Sequence, residues 1–118
     1  MATYNEPTAV TATYFDCWRK GDLVTLRSIL ADDVDFRSPL AHLTNGDECV
    51  TAMRGLVQTT TDIVVRKVFE DGQDVVTWFE LHTAAAPPCP VANWSHVDGG
   101  KIDRIRVAFD PRPLLGQR

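Results

Sequence analysis

None of the features that would commit a chain to a membrane, an oxidising compartment or a nucleic acid is present in this sequence. No apolar run approaches the roughly twenty residues that a bilayer-spanning helix needs, and Met1 to Thr8 shows neither the basic start nor the apolar stretch of a signal peptide. A cytoplasmic protein is the expectation. Cysteine is scarce: Cys17, Cys49 and Cys89 are odd in number and contain no C-x-x-C pair, which argues against a disulfide framework, a zinc ribbon and a redox motif. They read as reduced thiols, Cys17 and Cys49 as small buried hydrophobes on helices, Cys89 in a loop. Positive charge is the minority, with 12 Lys and Arg against 16 Asp and Glu for a net charge of -4, so a general phosphate-backbone binder is disfavoured. His42, His82 and His96 are too scattered for a metal site, and no glycine-rich phosphate loop occurs. No metal and no cofactor are expected.

What is present suits one globular domain spanning 1–118: 118 residues, 44% hydrophobic and 24% charged. Val10, Tyr14, Cys17 and Trp18 recur at helical spacing between Pro7 and the stop signal Gly21. Asp22 can cap a second helix carrying Leu23, Leu26, Ile29 and Leu30, which ends near Ala31-Asp32-Asp33. Val34 to Ser38 alternates as a half-buried strand closed by Pro39, and Asp47 is placed to cap a third helix with Val50, Met53 and Leu56. Strands follow. Ile63 to Phe69 and Asp74 to Thr83 flank the Asp71-Gly72 turn. The Ala84 to Pro90 segment, rich in proline, reads as a loop. Val91 to Val97 and Ile102 to Phe109 flank Asp98-Gly99-Gly100-Lys101. The order is α+β, with an antiparallel sheet covered on one face by helices.

Alternation assigns the faces. Val75, Thr77, Phe79 and Leu81 face the helices, opposite Val76, Trp78, Glu80 and His82; Ile105, Val107 and Phe109 face in, opposite Arg104 and Arg106; Val34, Phe36 and Ser38 face in. If Gly99-Gly100 is a two-residue loop, paired residues sum to 199, which turns Ala92, Trp94 and His96 inward and sets His96 beside Asp103. A three-residue loop reverses that face. An interior rich in rings with few polar tips fits either a pocket for an apolar ligand or a plain packed core.

Trp18-Arg19-Lys20-Gly21-Asp22, Leu30-Ala31-Asp32-Asp33-Val34 with Pro39 beyond it, and Asp98-Gly99-Gly100-Lys101-Ile102 leading into Val107-Ala108-Phe109-Asp110 together resemble the nuclear transport factor 2 superfamily. Within it the chain resembles the SnoaL-like group of polyketide cyclases, ketosteroid isomerases and limonene epoxide hydrolases. The resemblance spans nearly the whole chain. It implies a cone-shaped α+β barrel, a curved sheet wrapped around three N-terminal helices, with an apolar pocket and commonly a homodimer formed through the outer sheet face. It also implies an altered site. Tyr14 matches the isomerase tyrosine, but Ser38 stands at the base and Ala92 at the protonated acid; Val107 replaces the last-strand aspartate of cyclases and hydrolases, and Phe79 and Leu81 replace the hydrolase arginine and second aspartate.

The expected ligand is therefore a small hydrophobic molecule. Trp18, Phe36, Ser38, Phe79, Leu81, Trp94, Val107 and Phe109 are the candidate binding residues, and Tyr14, His96 and Asp103 the candidate catalytic ones. In that reading Tyr14 donates to a developing oxyanion while His96, held by Asp103, moves a proton in a cofactor-free isomerase or cyclase. The competing reading leaves His96 at a hairpin end, bonded to Asp103 for structure alone, in a non-catalytic binding or accessory protein. His42 could edge the pocket mouth. Trp78, Glu80, His82, Arg104 and Arg106 form a mixed aromatic and charged face suited to a homodimer.

Overall fold

A computed structural model describes residues 6–116. The reading of the first residues as free of a leader falls largely outside them. The elements are α1 (Pro7–Lys20), α2 (Leu23–Ser28), β1 (Leu30–Arg37), β2 (His42–Leu43), α3 (Gly46–Thr59), β3 (Thr60–Asp71), β4 (Asp74–Thr83), β5 (Ala86–Asp98), β6 (Lys101–Ala108) and a short 3₁₀ turn, Pro113–Leu115. Six strands form one sheet in the order β2-β1-β6-β5-β4-β3. Its pairings are antiparallel except between β1 and β6, which run parallel. Among the described residues no helix is long and apolar enough to cross a membrane.

The helices start and stop where local chemistry tells them to. Gly21 closes α1 at φ +71°, its N–H reaching the carbonyls of Cys17 and Trp18, and a Cβ there would crowd Val57 at 3.3 Å. Asp22 caps α2 by accepting from the Thr25 N–H at 3.0 Å. The second helix stops at Ser28, earlier than expected, because Leu30 already belongs to β1. At α3 the cap is Asn45, not Asp47: its side chain accepts from the Glu48 N–H at 2.9 Å, and Glu48 reaches back to the Thr44 N–H at 2.9 Å. Asp47, in the first turn, is instead a partner of Arg27. That guanidinium bonds Asp47 at 2.9 Å, Asp32 at 2.7 Å and the Leu30 carbonyl at 3.2 Å, joining α2, β1 and α3. Gly46 leaves the room, since a Cβ would stand 2.6 Å from Arg27 Cζ.

α1, α2 and α3 fill the concave face. Phe15 packs edge-on against Phe79 at 5.0 Å and Trp18 against Phe79 at 5.8 Å, with Tyr14 edge-on to Phe15 at 5.3 Å. Trp18 Nε1 is satisfied by Thr60 Oγ1 at 3.0 Å. In β4 the buried residues are Val75, Thr77, Phe79 and Leu81, as alternation requires.

β5 departs from expectation twice. It begins at Ala86 and runs through Pro87, Pro88 and Pro90 as strand. The reason is that β6 starts its pairing at Ala92↔Ala108, leaving 86–91 partnered only by β4. Backbone N–H groups alternate sides along a strand, so Pro88 and Pro90 turn their ring nitrogens to the same side. Pairing with β4 continues through Leu81↔Cys89, Glu80↔Pro90 and Phe79↔Val91, and proline is tolerated in a strand where its ring nitrogen points to the side without a ladder partner. Cys89 is accordingly a buried strand residue, not a loop one.

The second departure concerns parity. The turn is the expected one: Asp98 pairs with Lys101 across Gly99 and Gly100, both at positive φ. Immediately beyond it, however, Val97 pairs with Ile102 and His96 with Arg104, so Asp103 is an extra residue in β6. Every later pair sums to 200. Val91, Asn93, Ser95 and Val97 therefore face in, and Ala92, Trp94 and His96 face out, with Trp94 43% exposed. The bulge is what lets Ile102 and Ile105, three apart, both be buried.

Candidate functional site

Between helices and sheet lies a cavity of about 250 Å³. α1 supplies Tyr14 and Trp18; α2 and β1 supply Leu26, Leu30 and Phe36, with Ser38 just past β1; α3 supplies Cys49, Ala52, Met53 and Leu56. The sheet contributes Phe79, Leu81, Val91, Asn93, Ile105 and Val107, with Phe109 and Leu114 beyond it. The exposed Leu40, Ala52 and Leu56 mark its mouth.

No Asp, Glu, His, Lys or Arg lines this cavity. Its polar side chains are Tyr14, Ser38 and Asn93. Among the described residues Thr11 Oγ1 is the one fully enclosed side-chain polar atom without a partner. Tyr14 Oη and Asn93 Nδ2 also make no hydrogen bond to the protein among the described residues, so both retain open space, and the cavity is that space. Burial pushes the Tyr14 phenol well above its ordinary value of 10.0, and the adjacent Cys49 adds to the effect, so it stands neutral as a donor. Burial likewise pushes the Cys49 thiol up to about 11, which leaves it an inert wall group near neutral pH.

Of the residues singled out from sequence, Tyr14, Trp18, Phe36, Ser38, Phe79, Leu81, Val107 and Phe109 line the cavity. Trp94, His96 and Asp103 do not, and the bulge is the cause. His96 Nδ1 and Asp103 Oδ1 do pair, at 2.7 Å, but on the convex side at the hairpin end, with the two side chains 26% and 36% exposed. Trp94 stands there too, its Nε1 donating to Asp74 Oδ1 at 2.8 Å and Arg104 lying 5.6 Å from its ring centroid. His42 pairs with Asp35 at 3.1 Å in β2 and is not part of the cavity wall. Asn93 is the polar cavity residue that sequence reasoning missed, because Ala92 was given its place. Among the described residues no group of three or more His, Cys, Asp or Glu side chains is arranged to hold a metal ion.

A family model described as SnoaL-like domain matches residues 11–105. No curated protein matches this chain in sequence. In structure the chain is similar to an NTF2-like protein of unknown function from Cytophaga hutchinsonii, with a TM-score of 0.84 at 22% identity over 98% of this chain and 99% of that one. It is similar to an LEH-like epoxide hydrolase of M. tuberculosis, with a TM-score of 0.79 at 19% identity over 94% and 87% of the two chains. It is also similar to a de novo designed protein with a curved β-sheet, with a TM-score of 0.81 at 23% identity over 93% and 89%. At these identities the likeness is one of fold. One fold hosts many chemistries, so the side chains of the site decide the function.

Proposed function

The chain belongs to the SnoaL-like domain family, and from that premise we propose that it binds a small, neutral, largely apolar molecule in the cavity between its helices and its sheet. The observation that supports this reading is a 250 Å³ space walled by apolar side chains with three uncharged polar groups and no ionisable carboxylate, imidazole or amine. A cavity of 150 Å³ takes benzene, so the enclosed part of this one suits about ten non-hydrogen atoms. Proton transfer needs a base within reach of the ligand. His96 lies on the other face, and Ser38 has no partner that would make it one. Tyr14 serves as a neutral donor that orients the ligand.

The test is calorimetry and thermal unfolding with camphor and indane, two neutral probes of this size. At about 100 times its dissociation constant a bound probe adds roughly 2.7 kcal/mol, a rise of several degrees in Tm. Ala52→Trp at the exposed mouth should abolish the rise. Absence of binding by both probes, or binding that Ala52→Trp leaves intact, overturns the reading.

We also propose a homodimer through the convex face, where Trp78 and Trp94 are 42% and 43% exposed among charges of both signs, including Arg104, Arg106, Glu80 and Asp74. A two-fold axis can set such a surface against itself. Light scattering should report a dimer at micromolar concentration that Trp78→Glu weakens. A wild-type monomer removes the claim.

A further inference from the structure

We propose that the cavity selects its ligand by hydrogen-bond polarity: it accepts a molecule whose polar group is an acceptor oxygen, such as a small cyclic ketone or lactone, and discriminates against the matching alcohol. This rests on the binding reading above and adds the chemistry recognised.

The accounting begins with Ser95, which is 0% exposed. Its hydroxyl donates to Asn93 Oδ1 at 2.8 Å, and it makes no other side-chain hydrogen bond among the described residues. Were the Asn93 amide turned over, the buried Ser95 O–H would lose its acceptor, and an enclosed unsatisfied donor is costly. Ser95 therefore fixes the amide, with the carbonyl tied to the protein and the NH₂ left for the cavity.

Ser38 reaches the same polarity by another route. Its Oγ accepts from the Leu40 N–H at 3.1 Å and the Ala41 N–H at 3.2 Å. A hydroxyl oxygen has two lone pairs, so what Ser38 has left is its O–H. Tyr14 adds a third donor. Against the two N–H bonds of Asn93 and two O–H bonds, the cavity's side chains offer as acceptors the phenol oxygen and the weakly accepting sulfurs of Met53 and Cys49, the latter also a weak donor. A ketone oxygen takes two donors and brings none. An alcohol brings a donor into a site that already has too many. In this scheme Asn93 contacts the ligand, and Ser95 is a positioning residue that acts through it.

The experiment compares three probes on one carbon skeleton, camphor, borneol and bornane, by calorimetry or competition on the full chain. Camphor should bind roughly tenfold or more tighter than borneol and than bornane, the cost of one unmatched polar group. Asn93→Leu should remove the advantage of camphor over bornane. Ser95→Ala frees the amide to turn, so it should bring the camphor-to-borneol ratio towards one with a smaller change in camphor affinity, a readout that simple loss of packing would not move. Equal binding of all three probes to the wild type, or tighter binding of borneol, overturns the selectivity while leaving the binding reading in place. Failure of all three to bind overturns the selectivity, and with indane also unbound it overturns both. Should Asn93→Leu fail to fold, the wild-type series and Ser95→Ala decide alone.

Discussion

The two faces of the same three strands could hardly differ more in chemistry. On the concave side β4, β5 and β6 present Phe79, Leu81, Val91, Asn93, Ile105 and Val107 to the cavity. One residue along each strand, the convex side carries Trp78, Glu80, Trp94, His96, Arg104 and Arg106, with the His96–Asp103 and Arg66–Glu80 ion pairs. Charged side chains belong to the convex side, and the polar groups that face the cavity are uncharged. The contrast teaches that a histidine–aspartate pair, however close, has no bearing on a pocket lying through the sheet from it; the pleat separates them.

Three measurements would break or sharpen that contrast. The largest effect is expected from neighbours on opposite faces: Phe79→Ala, at a residue 1% exposed, should cost about 3–5 kcal/mol by chemical denaturation, whereas Trp78→Ala should cost a small fraction of that in the monomer. Similar losses at both positions would mean that the convex face is as buried as the concave one.

Next comes alkaline pH. The Cys49 thiol is raised from 9.0 to about 11 in the folded protein, so its contribution is complete below pH 9.0 and drains as pH climbs towards about 11. The Cys49 share of the loss across that window is on the order of 2 kcal/mol, so Cys49→Val should make the profile shallower, leaving the loss that the raised Tyr14 phenol adds above pH 10.0. A wild-type profile as flat as the variant's would place the thiol in water.

The smallest effect is expected of His96→Ala, which removes a half-exposed ion pair worth about 1 kcal/mol or less and should leave camphor affinity unchanged. A lost affinity would bring His96 into the cavity after all.

Much of the fold was readable before any coordinates. Apolar spacing marked the helices, Gly21 and Asp22 their junction, and Gly99-Gly100 the last turn, because each is a local preference of a few residues. The inward facing of Val34, Phe36, Val75, Thr77, Phe79, Leu81, Ile105 and Val107 follows from alternation alone, whereas that of Leu30 and Ile102 does not. Alternation failed for β5, whose composition is ambiguous, with Trp94 and Val91 of opposite parity. Its facing was inferred from the turn through an uninterrupted ladder, and a bulge is a long-range compromise that no turn announces. The signal that was there is the odd spacing of Ile102 and Ile105 in a strand: two large β-branched residues three apart cannot both be buried without an extra residue between them. The prolines of β5 misled for a related reason, since proline excludes a residue from the middle of a ladder but not from a side that has no neighbour.

That unpartnered side of 86–91 bears on solubility. A strand with a free edge invites another chain to extend the sheet, and sheets joined edge to edge are how such proteins aggregate. Along this stretch the ring nitrogens of Pro88 and Pro90 supply no donors to an incoming strand, and the Pro113–Leu115 turn packs beside β5, so the sheet does not grow from its middle; its outer strands are β2 and β3.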